Sequence, residues 1–142
     1  MLTNAVAVLD GWLKIKPNDV NTLIAKGYLR IQVGDYTNAV PPLDRALSVQ
    51  PDNLQALLNR AIAHWRARNL ELAKADYMQA LKLHPEANLA WFGLGEIAFQ
   101  HQDTNTATRC YLAYLSHSNS VPGSPEAGYV RSRLKELGFR SR

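Results

Sequence analysis

Apolar side chains recur at helical spacing along almost the whole chain, and the breaks between them are marked by proline, glycine, asparagine and aspartate. The first segment, Leu2 to Lys16, reads as a helix face of Ala5, Val6, Val8, Leu9, Trp12, Leu13 and Ile15 and stops at Pro17. Val20 to Val33 follows, closed by Gly34-Asp35, which reads as a helix stop followed by a new cap. Tyr36 to Gln50 ends before Pro51, Leu54 to Ala67 before Arg68-Asn69, and Leu70 to Leu83 before Pro85. Asn88 to Gln100, Thr104 to Ser116 and Glu126 to Leu137 complete the series, with Gly138 as a stop for the last. No stretch alternates in the manner of a strand, so the pattern predicts eight helices joined by short turns. SHSNSVPGSP, from Ser116 to Pro125, is expected to be a loop. Pro41-Pro42 removes two backbone donors from the third segment, and a distorted first turn is expected there.

The segments repeat. Ala39, Ala73 and Ala107 are 34 residues apart, as are Pro17, Pro51 and Pro85. Aligning 20–53, 54–87 and 88–121 puts Gly27, Ala61 and Gly95 at the eighth position. The fourth position holds Leu23, Leu57 and Trp91, and the twenty-fourth holds Leu43, Tyr77 and Tyr111. Small residues on one helix facing large ones on the next allow close antiparallel packing.

This spacing and pattern resemble the tetratricopeptide repeat family over about residues 3–119. The resemblance implies an all-α fold, a right-handed α-α superhelix built as a solenoid of antiparallel helix hairpins. It divides the chain into the second helix of a truncated repeat (1–19), two repeats (20–53 and 54–87), an atypical repeat (88–121), and a loop, capping helix and basic tail (122–142). The departures are Lys26 and Arg60 at position seven, usually leucine, Tyr114 at position twenty-seven, usually alanine, and Asn119 in place of the last proline. Because the first helix of its hairpin is missing, segment 1–19 should expose apolar surface. We therefore expect a piece of a longer repeat protein, associating through this end as a two-fold homodimer.

Composition narrows the function. Of the +4 net charge, residues 125–142 supply +3, through Arg131, Arg133, Lys135, Arg140 and Arg142 against Glu126 and Glu136. A basic tail on a neutral body is not the stripe that a phosphate backbone requires, so no nucleic-acid partner is expected. No apolar run approaches a membrane span. Cys110 stands alone, which excludes an intramolecular disulfide and fits a reducing cytoplasm, although periplasmic proteins often lack disulfides too. His64, His84, His101 and His117 are scattered without the i, i+4 pairing of a helical metal site, so no cofactor or metal is expected. Nothing nominates a general acid and base together, and an enzyme is not expected.

What remains is a surface. In this family the first helix of each hairpin lines the concave side, where peptides dock. Carried onto this chain, the resemblance implies a groove from Ile24, Tyr28 and Gln32, then Gln55, Asn59, Ile62 and Arg66, then Phe92, Glu96 and Phe99, flanked by Asn21, Ala25, Ile31, Leu58, Trp65, Leu89, Gly93 and Gln100. Ile24, Leu58, Phe92, Ile31, Trp65 and Phe99 can equally pack between neighbouring hairpins, whereas Tyr28, Asn59, Arg66 and Glu96 are expected to be exposed. Family members that clamp a terminal carboxylate use lysine, asparagine and arginine at places held here by Ile24, Tyr28, Asn59, Leu89 and Gly93. Only Asn59 matches, so that clamp is rejected. The function expected is a non-catalytic scaffold for a peptide or protein segment. The rivals are a self-association module and a regulatory or substrate-recruiting arm of a larger enzyme.

Overall fold

The computed structural model describes residues 2–117 and 124–139, with side chains from Asn4 onward. Its helices are α1 (Leu2–Ile15), α2 (Val20–Gln32), α3 (Tyr36–Val49), α4 (Leu54–Arg66), α5 (Leu70–Leu83), α6 (Asn88–Gln100), α7 (Thr104–His117) and α8 (Pro125–Glu136). Each begins and ends within a residue or two of the break signals, and the described residues contain no strand. Most of the loop expected over Ser116 to Pro125 lies outside the described residues, as do Asn119, Arg140 and Arg142.

The starts and stops have local causes. Asp19 and Asn53 accept hydrogen bonds from the backbone N–H of Thr22 and Ala56, both at 2.9 Å, satisfying donors that the first turns of α2 and α4 leave over. Asp103 does the same for α7 through Thr106, and Ser124 for α8 through Ala127. Four helices end in one closure. After α2, the N–H of Asp35 donates to the carbonyl of Arg30 and that of Gly34 to Ile31; Asn69 and Arg68, Asp103 and Gln102, and Phe139 and Gly138 repeat this after α4, α6 and α8. The closure needs a left-handed residue, and Gly34, Arg68, Gln102 and Gly138 all have positive φ.

The distortion expected at Pro41-Pro42 is not found in the first turn of α3. The N–H of Ala39 bonds the carbonyl of Asp35 at 3.1 Å, so that turn closes, and the helix runs on to Val49. The prolines are its sixth and seventh residues, past the turn that the Ala39 bond closes. There the missing donors leave the carbonyls of Thr37 and Asn38 without intrahelical partners but do not end the helix.

Two compact units form, residues 1–83 and 84–142. In the first, α1 packs on α2, α2 on α3, α3 on α4 and α4 on α5, with α2 also against α4. Leu43 seats on Gly27: a Cβ at that glycine would lie 2.5 Å from the leucine Cγ. In the second, α6 pairs with α7 and α7 with α8, and a Cβ at Gly95 would lie 2.7 Å from the ring of Tyr111. Leu43, Tyr77 and Tyr111 are all fully buried, each burial contributing roughly 1.5–3 kcal/mol. The small-facing-large pattern of the repeat is therefore the hairpin contact itself.

Candidate functional site

In the first unit the first-type helices α2 and α4 present a mixed surface. Tyr28 is 49% exposed, Gln32, Gln55 and Arg66 are exposed, and Ile62 is half-buried. The Arg66 guanidinium lies 5.4 Å from the ring centre of Trp65. Ile24 belongs to the core instead, 3% exposed beside Leu23 and Gly27. Asn59 was expected to be exposed but is buried, at 9%; its Nδ2, which has no surface open to solvent, finds no acceptor within the described residues. A buried amide N–H without a partner costs about 1–3 kcal/mol.

On another side of the same unit lies a charge cluster that the sequence reading missed. Arg60 donates from Nε and Nη2 to both carboxylate oxygens of Asp76, at 2.8 and 2.7 Å, and from Nη1 to Asp44 at 2.9 Å. One guanidinium therefore ties α4 to α5 and α3. These carboxylates hold Arg60 firmly protonated, with the Asp76 hydrogen bond the largest cause. The three charges edge a cavity of about 330 Å³ with Leu47, Pro51 and Leu57. Lys26 repeats the device one repeat earlier, pairing with Asp10 at 2.6 Å. The signal was available: Asp10 and Asp44 are 34 apart, and so are Lys26 and Arg60, the two departures at position seven. His64 stands near this cluster with Nδ1 buried and unpartnered, and burial lowers its pKa.

The second unit treats the corresponding positions differently. Glu96, expected to be exposed, is buried. It accepts from the Tyr111 hydroxyl at 2.5 Å and from the Tyr129 hydroxyl at 2.9 Å. Burial first, and then the Glu96 carboxylate, push the Tyr111 phenol above its ordinary range. Arg133 donates to the Tyr129 hydroxyl and stacks 4.2 Å from the ring centre of Phe99, with its Nε 4.0 Å from Glu96. Phe92 packs tilted against Tyr114 and Tyr129, at 5.8 and 5.9 Å. The side chains of α8 thus lie over Phe92, Glu96 and Phe99, three positions assigned to the groove. Two openings remain along this seam: about 460 Å³ lined by Glu96, Phe99, Gln100, Thr104 and Arg133, and about 310 Å³ lined by Phe92, Pro125, Glu126 and Tyr129.

Cys110 is buried and its thiol is pushed up by that burial, so it is a poor nucleophile. Among the described residues no group of histidine, cysteine and carboxylate is arranged to hold a metal ion, and no helix is long and apolar enough to cross a membrane.

A tetratricopeptide repeat family model matches residues 24–77 and 58–116. No curated protein matches the sequence significantly. Among solved structures, a MamA RS-1 double mutant superposes with a TM-score of 0.77 at 24% identity, covering 82% of this chain; this chain spans only 65% of that one. MamA from Desulfovibrio magneticus RS-1, residues 41 to the end, gives a TM-score of 0.78 at 24% identity, covering 84% of this chain and 69% of that one. The first repeat domain of Spaghetti (RPAP3), solved with the HSP90 peptide SRMEEVD, gives 0.74 at 24% identity over 84% of this chain and 94% of its own. These likenesses establish the fold class, the all-α α-α superhelix.

Proposed function

The chain belongs to the tetratricopeptide repeat family, and on that premise we propose that it is a non-catalytic scaffold holding a polypeptide segment against the α2–α4 face of its first unit. The observation that carries this reading is Asn59. Its side chain is nine-tenths buried, its amide N–H has no acceptor among the described residues, and it lies on the helix that also presents Gln55 and Arg66. A peptide carbonyl would satisfy that donor once the side chains that now close Nδ2 off from solvent move aside on binding. Tyr28 and Arg66 would supply an aromatic face and a charged anchor beside it. The RPAP3 domain bound to an HSP90 peptide lends support at the level of fold.

The peptide differs from that one. Ile24, Tyr28, Leu89 and Gly93 replace the cationic and amide groups of a carboxylate clamp, and Ile24 is buried as well. SRMEEVD itself should therefore not bind measurably in fluorescence polarisation. A peptide selected from a random library on the intact chain should lose about 1 kcal/mol of affinity with Asn59→Ala. Selected peptides indifferent both to Asn59→Ala and to Tyr28→Ala would remove the face from consideration.

A further inference from the structure

Helix α8 does not keep the 34-residue step, but counted from its cap it keeps the register of a first-type helix. Ser124 stands at the cap of α8 as Ala87 does at that of α6, 37 residues earlier. Five residues past each cap come Phe92 and Tyr129, and nine past each come Glu96 and Arg133. The two rings at the fifth position meet, tilted at 55° with centres 5.9 Å apart, and Tyr114 of α7 backs the Phe92 ring at 5.8 Å. The first turn of α8 adds Pro125 and Glu126, and with Phe92 and Tyr129 they line an opening of about 310 Å³. Tyr129 is 39% exposed, Pro125 and Glu126 are exposed and Phe92 is half-buried, so the opening can be reached from solvent.

The same unit already shows what such a set of groups holds. Two rings and a carboxylate seat a guanidinium: Arg133 lies 4.2 Å from the ring centre of Phe99 and 5.0 Å from that of Tyr129, with its Nε 4.0 Å from Glu96. The opening at Phe92 has the same three parts, two rings and the Glu126 carboxylate. Glu126 has no ion pair among the described residues. The charges around it leave the opening negative. Arg133 is matched by Glu96 and by Glu136, whose Oε2 is 3.0 Å from its Nη1. Arg131 and Lys135 are exposed about 140° and 180° round α8 from Glu126. Residues 118–123, which lead into Ser124, contain no lysine or arginine. Glu126 is thus an unmatched charge at the lip of a largely aromatic opening.

We propose that this opening binds a lysine or arginine side chain of a partner polypeptide. The rings take the cation against their faces and cover the methylene stem, and Glu126 meets the charged end. A volume at the lower end of the range for ligand pockets suits the end of a side chain rather than a whole small molecule. Aromatic walls alone would suit proline equally, and Glu126 decides for the cation. The site lies in the second unit and uses no residue of the α2–α4 face, so it does not rest on Asn59.

The test is an NMR titration of the intact chain with Nα-acetyl-arginine amide, its neutral isostere Nα-acetyl-citrulline amide, and Nα-acetyl-proline amide. The arginine amide should shift the resonances of Phe92, Glu126 and Tyr129 and saturate in about the millimolar range. The citrulline and proline amides should bind at least about fivefold more weakly. The peptide acetyl-Ala-Ala-Arg-Ala-Ala-amide should bind at least as tightly as the single arginine amide. Glu126→Gln keeps the shape of the lip and should weaken arginine about threefold while leaving citrulline unchanged. Phe92→Leu should weaken arginine about fivefold. Because Phe92 also packs on Tyr114, the exposed Glu126→Gln variant is the decisive one. The proposal is overturned by no saturable shift at these residues, by citrulline or proline amide binding as well as arginine, by weaker binding of the peptide than of the single amide, or by arginine binding indifferent to Glu126→Gln. None of these outcomes touches the Asn59→Ala result, so the two ideas fail separately.

Discussion

Position nine of the repeat is Tyr28, then Ile62, then Glu96, and the two units use that position in opposite ways. In the first unit Tyr28 stands half out of the surface and Asn59, three residues before Ile62, has an amide left over. In the second, Glu96 is buried under α8 and has both its oxygens engaged by phenols. A carboxylate beside two phenylalanines needs partners before it can leave water, and Tyr111, Tyr129 and Arg133 supply them. The same backbone frame thus leaves this position at the surface in one place and consumes it internally in another. The choice lies in which side chain occupies one position and in whether a helix outside the 34-residue period carries its complement.

The largest effect expected follows from that contrast. Glu96→Ala leaves two phenol hydroxyls unpaired and removes the polar anchor of α8, and should destabilise the second unit by about 3 kcal/mol. Urea unfolding read by hydrogen exchange in α6 to α8 checks it. The corresponding change in the first unit, Ile62→Ala at a half-buried site, should cost about half as much. Equal losses would mean that the Glu96 network is not what holds α8. Next in size is overpacking. Gly95→Ala places a methyl against a Tyr111 ring whose hydroxyl is held by Glu96, and should cost about 2 kcal/mol in the same experiment. In Gly27→Ala the new methyl lies 2.5 Å from the branch carbon of the fully buried Leu43, so a loss of similar size is expected.

Acid sharpens the comparison further. Burial holds the His64 pKa below the usual 6.5, so the folded first unit binds a proton less readily than the unfolded chain. Its contribution to stability is present above that value and is lost as pH falls through it. Melting of the first unit should drop between about pH 7 and pH 5, and His64→Gln should flatten that slope. A slope unchanged by the substitution would assign the acid sensitivity elsewhere.

Much of this was legible from spacing alone. Helix ends follow from Asp19, Asn53 and Gly34, and the seats of Leu43 on Gly27 and Tyr111 on Gly95 follow from the small and large columns of the alignment. Burial of Glu96 was not legible, because the residues that cover it, Tyr129 and Arg133, lie outside the repeat that assigned it to a groove. Asn59 was misjudged for a related reason: a polar residue on a first-type helix reads as exposed until the depth of the neighbouring packing is known. Arg60 and Lys26 were seen as departures from a leucine position, but their carboxylate partners sit on other helices. Pairing them required following Asp10 and Asp44 through the same 34-residue step.

The smallest effect tests whether the two units deserve to be compared as separate bodies. Arg68 and Gln102 close α4 and α6 with φ of 68° and 59°, where Gly34 and Gly138 do the same work without a Cβ. A left-handed residue with a Cβ is strained by about 1 kcal/mol, and glycine gives part of that back through the greater freedom of the unfolded chain. Arg68→Gly and Gln102→Gly should each stabilise by about 0.5 kcal/mol. Amide exchange can localise the gain: Arg68→Gly should slow exchange in α2 to α5, and Gln102→Gly in α6 to α8. If either substitution slows exchange equally in both sets, the chain unfolds as one cooperative body. The contrast between an open face and a consumed one would then concern surfaces alone, with no difference in local stability behind it.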